Sequence, residues 1–271
     1  MNISSSPDCC PGARPHATQV GAAVTKGSGR SARPAVGCPR DEDDGRLAFL
    51  GCLQLADSLF PTGLYTLSYG LESFAAETSV DPLTLEALLI DHLRHGVAPT
   101  DGIALAIAHR AATTDDLEMA ERADTRLSAV KLPREQREAA TRVGRALLNV
   151  SSKLFGNPHL PAYLARVRQG ATPGNQAVAL GLVLAGLGVP VEHAVATELY
   201  TMAAGFGAAA VRLGVTDHLV AQTMLHRVKP LIAEEAAAAP GRDIGEIGGC
   251  TPMIDIMAMR HERADVRLFT T

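Results

Sequence analysis

From about residue 46 onward, apolar residues recur three and four positions apart, the spacing that lines one face of an α-helix. The clearest case is 82–97, where Leu85, Leu88, Leu89 and His92 fall at i, i+3, i+4 and i+7. Asp81 stands there as N-cap, with Pro82 at the first helical position. Ala139, Val143, Ala146, Leu147, Val150 and Leu154 trace a second helix, ended by Gly156, Asn157 and Pro158. Thr114 is expected to cap a helix opened by Asp115 and Asp116, where the macrodipole favours acids. Further helices are expected over 46–58, 66–77, 101–113, 159–168, 175–188, 191–213 and 217–238, the last kinked at Pro230. No segment alternates with period two for long enough to make a strand. The predicted fold class is all-α, a single-domain helical bundle of about nine or ten helices.

The pattern fails at both ends. Residues 1–45 hold sixteen Gly, Pro or Ser, no aromatic, and end in the acidic run Asp41 to Asp44. Such a segment cannot bury enough apolar area to offset its ordering entropy, so it is expected to be a disordered N-terminal extension. The helical domain then spans 46–240, and residues 241–271 form a Gly-rich linker and a tail. That tail carries Met253, Ile254, Ile256, Met257, Met259, Leu268 and Phe269, too apolar for a solvated end. It is expected to dock on its own domain or to order on a partner.

Composition sharpens the picture of the core. Hydrophobic residues are 46% of the chain but aromatics only 4%, with no Trp, so Ala, Leu and Val must build the interior. Ala and Gly dominate 175–213, which predicts central helices whose backbones approach closely. Phe49, Phe60, Tyr65, Tyr69 and Phe74 gather in one short stretch. A helix is expected to end at Phe60 and Pro61, Thr62 and Gly63 to turn, and a second helix to begin near Thr66. Phe60, Tyr65 and Tyr69 at that junction either centre a binding surface or pin the first two helices to the core.

Charge excludes more than it suggests. Lys and Arg number 25 against 29 acids, a net of −4 with no basic stripe, which argues against a nucleic-acid partner. Five scattered Cys without C-x-x-C spacing indicate neither a disulfide framework nor a zinc site, and fit a reducing, cytoplasmic compartment. The longest apolar run, Ala177 to Val191, is too short and too broken by Gly and Pro to span a bilayer. No secretory h-region is seen in the first thirty residues.

Catalytic motifs are scarce. Gly205, Gly207 and Ala210 match G-x-G-x-x-A, but the flanking residues read as helix, which favours packing over dinucleotide binding. There is no P-loop, H-E-x-x-H or G-x-S-x-G. His92 and His95, three apart, could present two imidazoles to a metal with Asp91 or Glu72, as in a helical metal-dependent hydrolase. Against that, His92 shares the apolar line of its helix, and spacing names no third ligand.

Two segments carry a family resemblance. Leu53, Leu55, Ala56, Asp57, Ser58, Phe60, Pro61 and Gly63, followed by Ser68, Gly70, Leu71 and Glu72, resemble the N-terminal signature of the UreF family of urease accessory proteins. Pro252, Asp255, Ile256, Met259, His261, Glu262, Arg267, Leu268 and Phe269 are similar to its C-terminal signature. Gly144 to Leu148 and Val211 to Gly214 resemble weaker internal markers, so the likeness spans 46–271. The chain departs at Leu64 and Leu67, where many members carry a glycine and a histidine, and at Val215 and His218, where glutamines are common.

The resemblance implies a non-enzymatic, all-helical chaperone component that dimerises and bridges UreD (UreH in some organisms) and the GTPase UreG. That assembly delivers nickel to apo-urease in the cytoplasm, the nickel being handled by the complex, with no cofactor intrinsic to this chain. On this reading His261, Glu262, Arg267, Leu268 and Phe269 meet the UreD-like partner or shape the UreG-facing surface. Phe60, Pro61, Gly63, Tyr65, Tyr69 and Glu72 supply partner or dimer contacts. A GTPase regulator offering Arg267 or Arg212 in trans is a further alternative.

Overall fold

The computed structural model describes residues 40–271. The extension expected over 1–45 lies outside the described residues as far as 39, and from Arg40 the chain is already helical, ahead of the expected start near Arg46. In order the helices are α1 (Arg40–Ala56), α2 (Leu71–Glu77), α3 (Pro82–Asp91), α4 (Ile103–Thr113), α5 (Leu117–Val130) and α6 (Arg134–Leu154). They continue as α7 (His159–Arg168), α8 (Gln176–Gly186), α9 (Val191–Arg212), α10 (His218–Arg227), α11 (Lys229–Ala238) and α12 (Pro252–His261). There is no strand among the described residues. α3 and α4 run through a π-helical stretch as one rod, and α10 meets α11 at Val228. The all-α expectation holds.

Small residues decide how the centre packs. α8 is buried from Gln176 to Leu184, and α4 from Ile103 to His109. A Cβ at Gly181 would lie 2.5 Å from the Leu105 carbonyl oxygen, so only glycine lets the two backbones meet this closely. Gly144 does the same for α6, where a Cβ would fall 2.1 Å from the Gly174 carbonyl oxygen. α9 crosses this centre, with Gly205, Phe206 and Gly207 inside the helix, as the packing reading of that motif expects. α9 alone, among the described residues, has the length and apolarity of a membrane-crossing helix, which the reading of apolar runs did not anticipate. Its apolar side is nonetheless covered by the bundle, Ala194, Leu199, Ala203 and Phe206 being buried.

Buried polar groups fix the connections. Asp124 on α5 is fully buried and accepts hydrogen bonds from Tyr163 Oη (2.8 Å), Thr172 Oγ1 (2.6 Å) and the amides of Gly174 (2.6 Å) and Asn175 (2.9 Å). One carboxylate thereby ties α5 to α7 and to the turn before α8.

Local expectations held unevenly. Asp81 caps α3 by accepting from Thr84 N at 2.7 Å, with Pro82 in the first turn. Thr114 does not cap α5: its hydroxyl donates back to the Arg110 carbonyl at the end of α4, and Asp116 caps instead. The last long helix breaks at Val228, because Pro230 occupies the first turn of a new helix rather than the interior of an old one. α1 stops at Ala56 rather than Phe60, and α2 starts at Leu71 rather than near Thr66. Between them lie a short 3₁₀ turn, Leu64–Thr66, and three left-handed residues, Gly63, Tyr69 and Gly70.

The largest departure is in the middle of the α3–α4 rod. His92–Gly102 is π-helical, a rare form that concentrates at functional sites. It fills the gap between the helices expected over 82–97 and 101–113, with Pro99 inside it. The widened turns leave carbonyl oxygens free for another segment: Pro99 O accepts from Gly248 N (3.1 Å) and His95 O from Cys250 N (2.9 Å). The Gly-rich linker is thus laid against the π stretch, and Ile247 within it is fully buried.

Candidate functional site

The two signature segments meet. α12 packs on α2, close enough that a Cβ at Gly70 would lie 3.1 Å from the Ile254 carbonyl oxygen. Past α12 the chain runs back over the 64–70 turn. Thr270 N donates to Thr66 O (2.9 Å), Ser68 N to Thr271 O (2.8 Å), and the Ser68 hydroxyl donates to the same carbonyl. Arg142 reaches Thr270 Oγ1 from α6 at 3.0 Å. Of the two fates expected for the tail, docking on its own domain is the arrangement seen.

His261 is the centre of this junction. Its ring is fully buried between two carboxylates, Nε2 2.9 Å from Glu72 Oε2 and Nδ1 2.8 Å from Glu135 Oε2. Two carboxylates on two ring nitrogens require both nitrogens to donate, which the imidazolium satisfies. Glu72 also accepts the amides of Leu268 (2.6 Å) and Phe269 (3.0 Å). Burial pushes the Glu72 carboxyl up, but the Leu268 amide, the His261 ring and the Phe269 amide outweigh it and hold the group below its ordinary value. Glu135 is shared with Arg267, and Glu262 accepts from Glu135 N (3.2 Å) while pairing with Arg134 at 3.6 Å. Phe269 is buried with the Arg212 guanidinium 4.3 Å above its ring. Both arginines considered for action in trans are therefore engaged within the chain.

The aromatic junction divides. Phe60 is buried in the core. Tyr69 is partly buried against Gly205 and lies 6.1 Å from the His92 ring, in a left-handed conformation (φ 56°) that is strained for an aromatic residue. Tyr65 is 60% exposed and Pro61 is exposed, while Gly63 (φ 83°) makes the turn that presents them. Leu268, 66% exposed, adds an apolar side chain from the tail, beside the buried His261 network that anchors it. The site is thus an exposed surface tied from beneath by buried hydrogen bonds.

Sequence reasoning brought Glu72, His261 and Arg267 to attention but not Glu135, which lies on α6 outside either signature. It also missed the outward face of α1, where Leu47, Phe49, Leu50 and Leu53 are exposed. Period 3.6 flagged that helix without saying which of its sides the core would take. The metal-site candidates separate: His92 is buried and His95 exposed. Among the described residues no group of three or more His, Cys, Asp or Glu is placed to hold a metal.

Comparison with known proteins agrees with the signatures. The family model described as UreF matches residues 79–229. The urease accessory protein UreF of Yersinia pestis (strain Pestoides F) is 32% identical over 220 residues, covering 80% of this chain and 96% of that protein. The proteins of the same description from Yersinia pseudotuberculosis serotype I (strain IP32953) and Yersinia enterocolitica serotype O:8 match with the same identity and coverage.

Proposed function

The chain belongs to the UreF family of urease accessory proteins, and from that premise we propose that it acts without catalysis, as a bridge between a UreD/UreH-like protein and a UreG-like GTPase. In this reading it works in the cytoplasm as a homodimer, and the assembled complex inserts nickel into apo-urease. Nickel is cargo of the complex rather than a resident cofactor of this chain.

The observation that carries the proposal is the buried Glu72–His261–Glu135 linkage. It holds the two signature segments as one body and leaves Tyr65 and Leu268 exposed on it. Pre-ordering a contact surface lowers the entropy lost on association, and exposed aromatic and aliphatic side chains on a fixed backbone supply its energetic centre. The test is a pull-down of UreD and UreG homologues with Tyr65→Ala and Leu268→Ser. Both changes should leave the melting temperature nearly unchanged and weaken capture of one partner; undiminished capture of both would refute the assignment of this surface.

A further inference from the structure

A cavity of about 120 Å³ lies beneath the docked tail, walled by the π stretch, α6, α9, the linker and α12. Three carboxyl groups line it, Asp101, Glu198 and Asp255, against one ammonium group, that of Lys131. Lys131 Nζ is committed to Asp101 Oδ2 at 2.7 Å. Glu198 is 5% exposed and receives only the Gln176 amide (2.6 Å), a neutral donor. Burial, with the Asp101 charge beside it, raises the Glu198 carboxyl to about 7, and burial also raises Asp255. The Lys131 ammonium, already paired with Asp101, offsets both shifts only in part.

A second, independent feature points into the same space. His92 is 7% exposed, lines the cavity, and its Nδ1 has no hydrogen-bond partner. Burial lowers its ring to about 4, so at neutral pH the imidazole is uncharged and one nitrogen is an acceptor. Glycine at 96 keeps the space beside that nitrogen open, since a Cβ there would come within 3.0 Å of Nδ1. Buried polar atoms of native proteins normally find partners, and a donor that also carries positive charge would serve both His92 Nδ1 and the carboxyls that outnumber Lys131 in the same cavity wall.

We propose that this cavity binds a small organic ammonium ion, with its N–H groups given to His92 Nδ1 and the Glu198 carboxylate and its charge balanced by Glu198 and Asp255. An anion would meet three carboxyls, and among the described residues no three His, Cys, Asp or Glu side chains are placed together to hold a metal ion. Size sets a ceiling of about six non-hydrogen atoms, since a cavity of about 150 Å³ accepts a benzene-sized guest. Gly249, Thr251 and Thr271 form part of the wall.

Titration of the full chain with methylammonium chloride, followed by the NMR signals of the His92 imidazole, tests this. Those signals are identified by their loss in His92→Gln. Methylammonium should shift them saturably at constant ionic strength, and Glu198→Gln should weaken binding roughly tenfold, as expected for loss of one buried charge partner. Asp255→Asn, at a half-buried position on α12, should weaken binding in the same direction and serves if Glu198→Gln does not fold. The proposal is overturned if sodium chloride or sodium acetate produces the same shifts, if only nickel(II) moves the signals, or if the folded variants bind methylammonium as tightly as the parent chain.

Discussion

At the scale of single residues, His261 carries the most consequence. Removing it as His261→Ala leaves Glu72 and Glu135 facing one another with the cation between them gone, a buried charge arrangement whose disruption costs about 3–5 kcal/mol. Thermal unfolding should register a loss of that order. A change within 1 kcal/mol, the usual range for an exposed pair, would mean that the network is not buried in solution. Glu72 gives the pH dependence a sign. Its folded-state pKa is held below the ordinary carboxylate value, so its contribution is fully present above that ordinary value and is lost as pH falls through the lower, folded one. Hydrogen exchange at the Leu268 and Phe269 amides should accordingly speed up in acid ahead of exchange in α8, after correction for intrinsic rates. With Glu72→Gln that acid-dependent step should disappear.

At the scale of helices, glycine positions govern the fold's tolerance. Gly181→Ala would drive a methyl against the Leu105 carbonyl and Gly144→Ala against that of Gly174, both backbone atoms that cannot swing aside. Overpacking of this kind costs about 1–3 kcal/mol, so each variant should melt well below the parent, whereas Gly156→Ala, with open space around its Cβ, should not show that clash penalty. Most helices were legible because apolar spacing is a local signal, and Asp81 with Pro82 marked a start that the chain uses. The π stretch was not, because the rule that Pro stops a helix assumes that every amide is needed in an i→i+4 ladder. Here the ladder widens around Pro99, and the Gly248 and Cys250 amides bond the carbonyls of Pro99 and His95. The start of α2 was misplaced for a related reason: Tyr69, next to the Ser68 that the tail bonds, takes a left-handed conformation that propensity assigns to glycine or asparagine.

At the scale of the whole molecule, the site joins positions that sequence proximity cannot pair. His261 meets Glu135 across 126 residues and Glu72 across 189. Signature motifs named both ends of the site, but Glu135, the partner that locks them, stands on a helix whose spacing said only that it was amphipathic. The tail is also structural, since Ile254, Met257, Ala258 and Phe269 are buried. Deleting residues 251–271 should therefore lower thermal stability as well as assembly. The exposed changes Tyr65→Ala and Leu268→Ser separate the two effects. In the proposed role this chain joins two partners that do not productively meet without it. The most direct test of that role is urease activation from purified apo-urease, UreD and UreG homologues, nickel and GTP, with and without this chain. Activity appearing only with the chain, together with a complex in which UreD and UreG co-purify through it, is the predicted result; full activation in its absence would contradict the account.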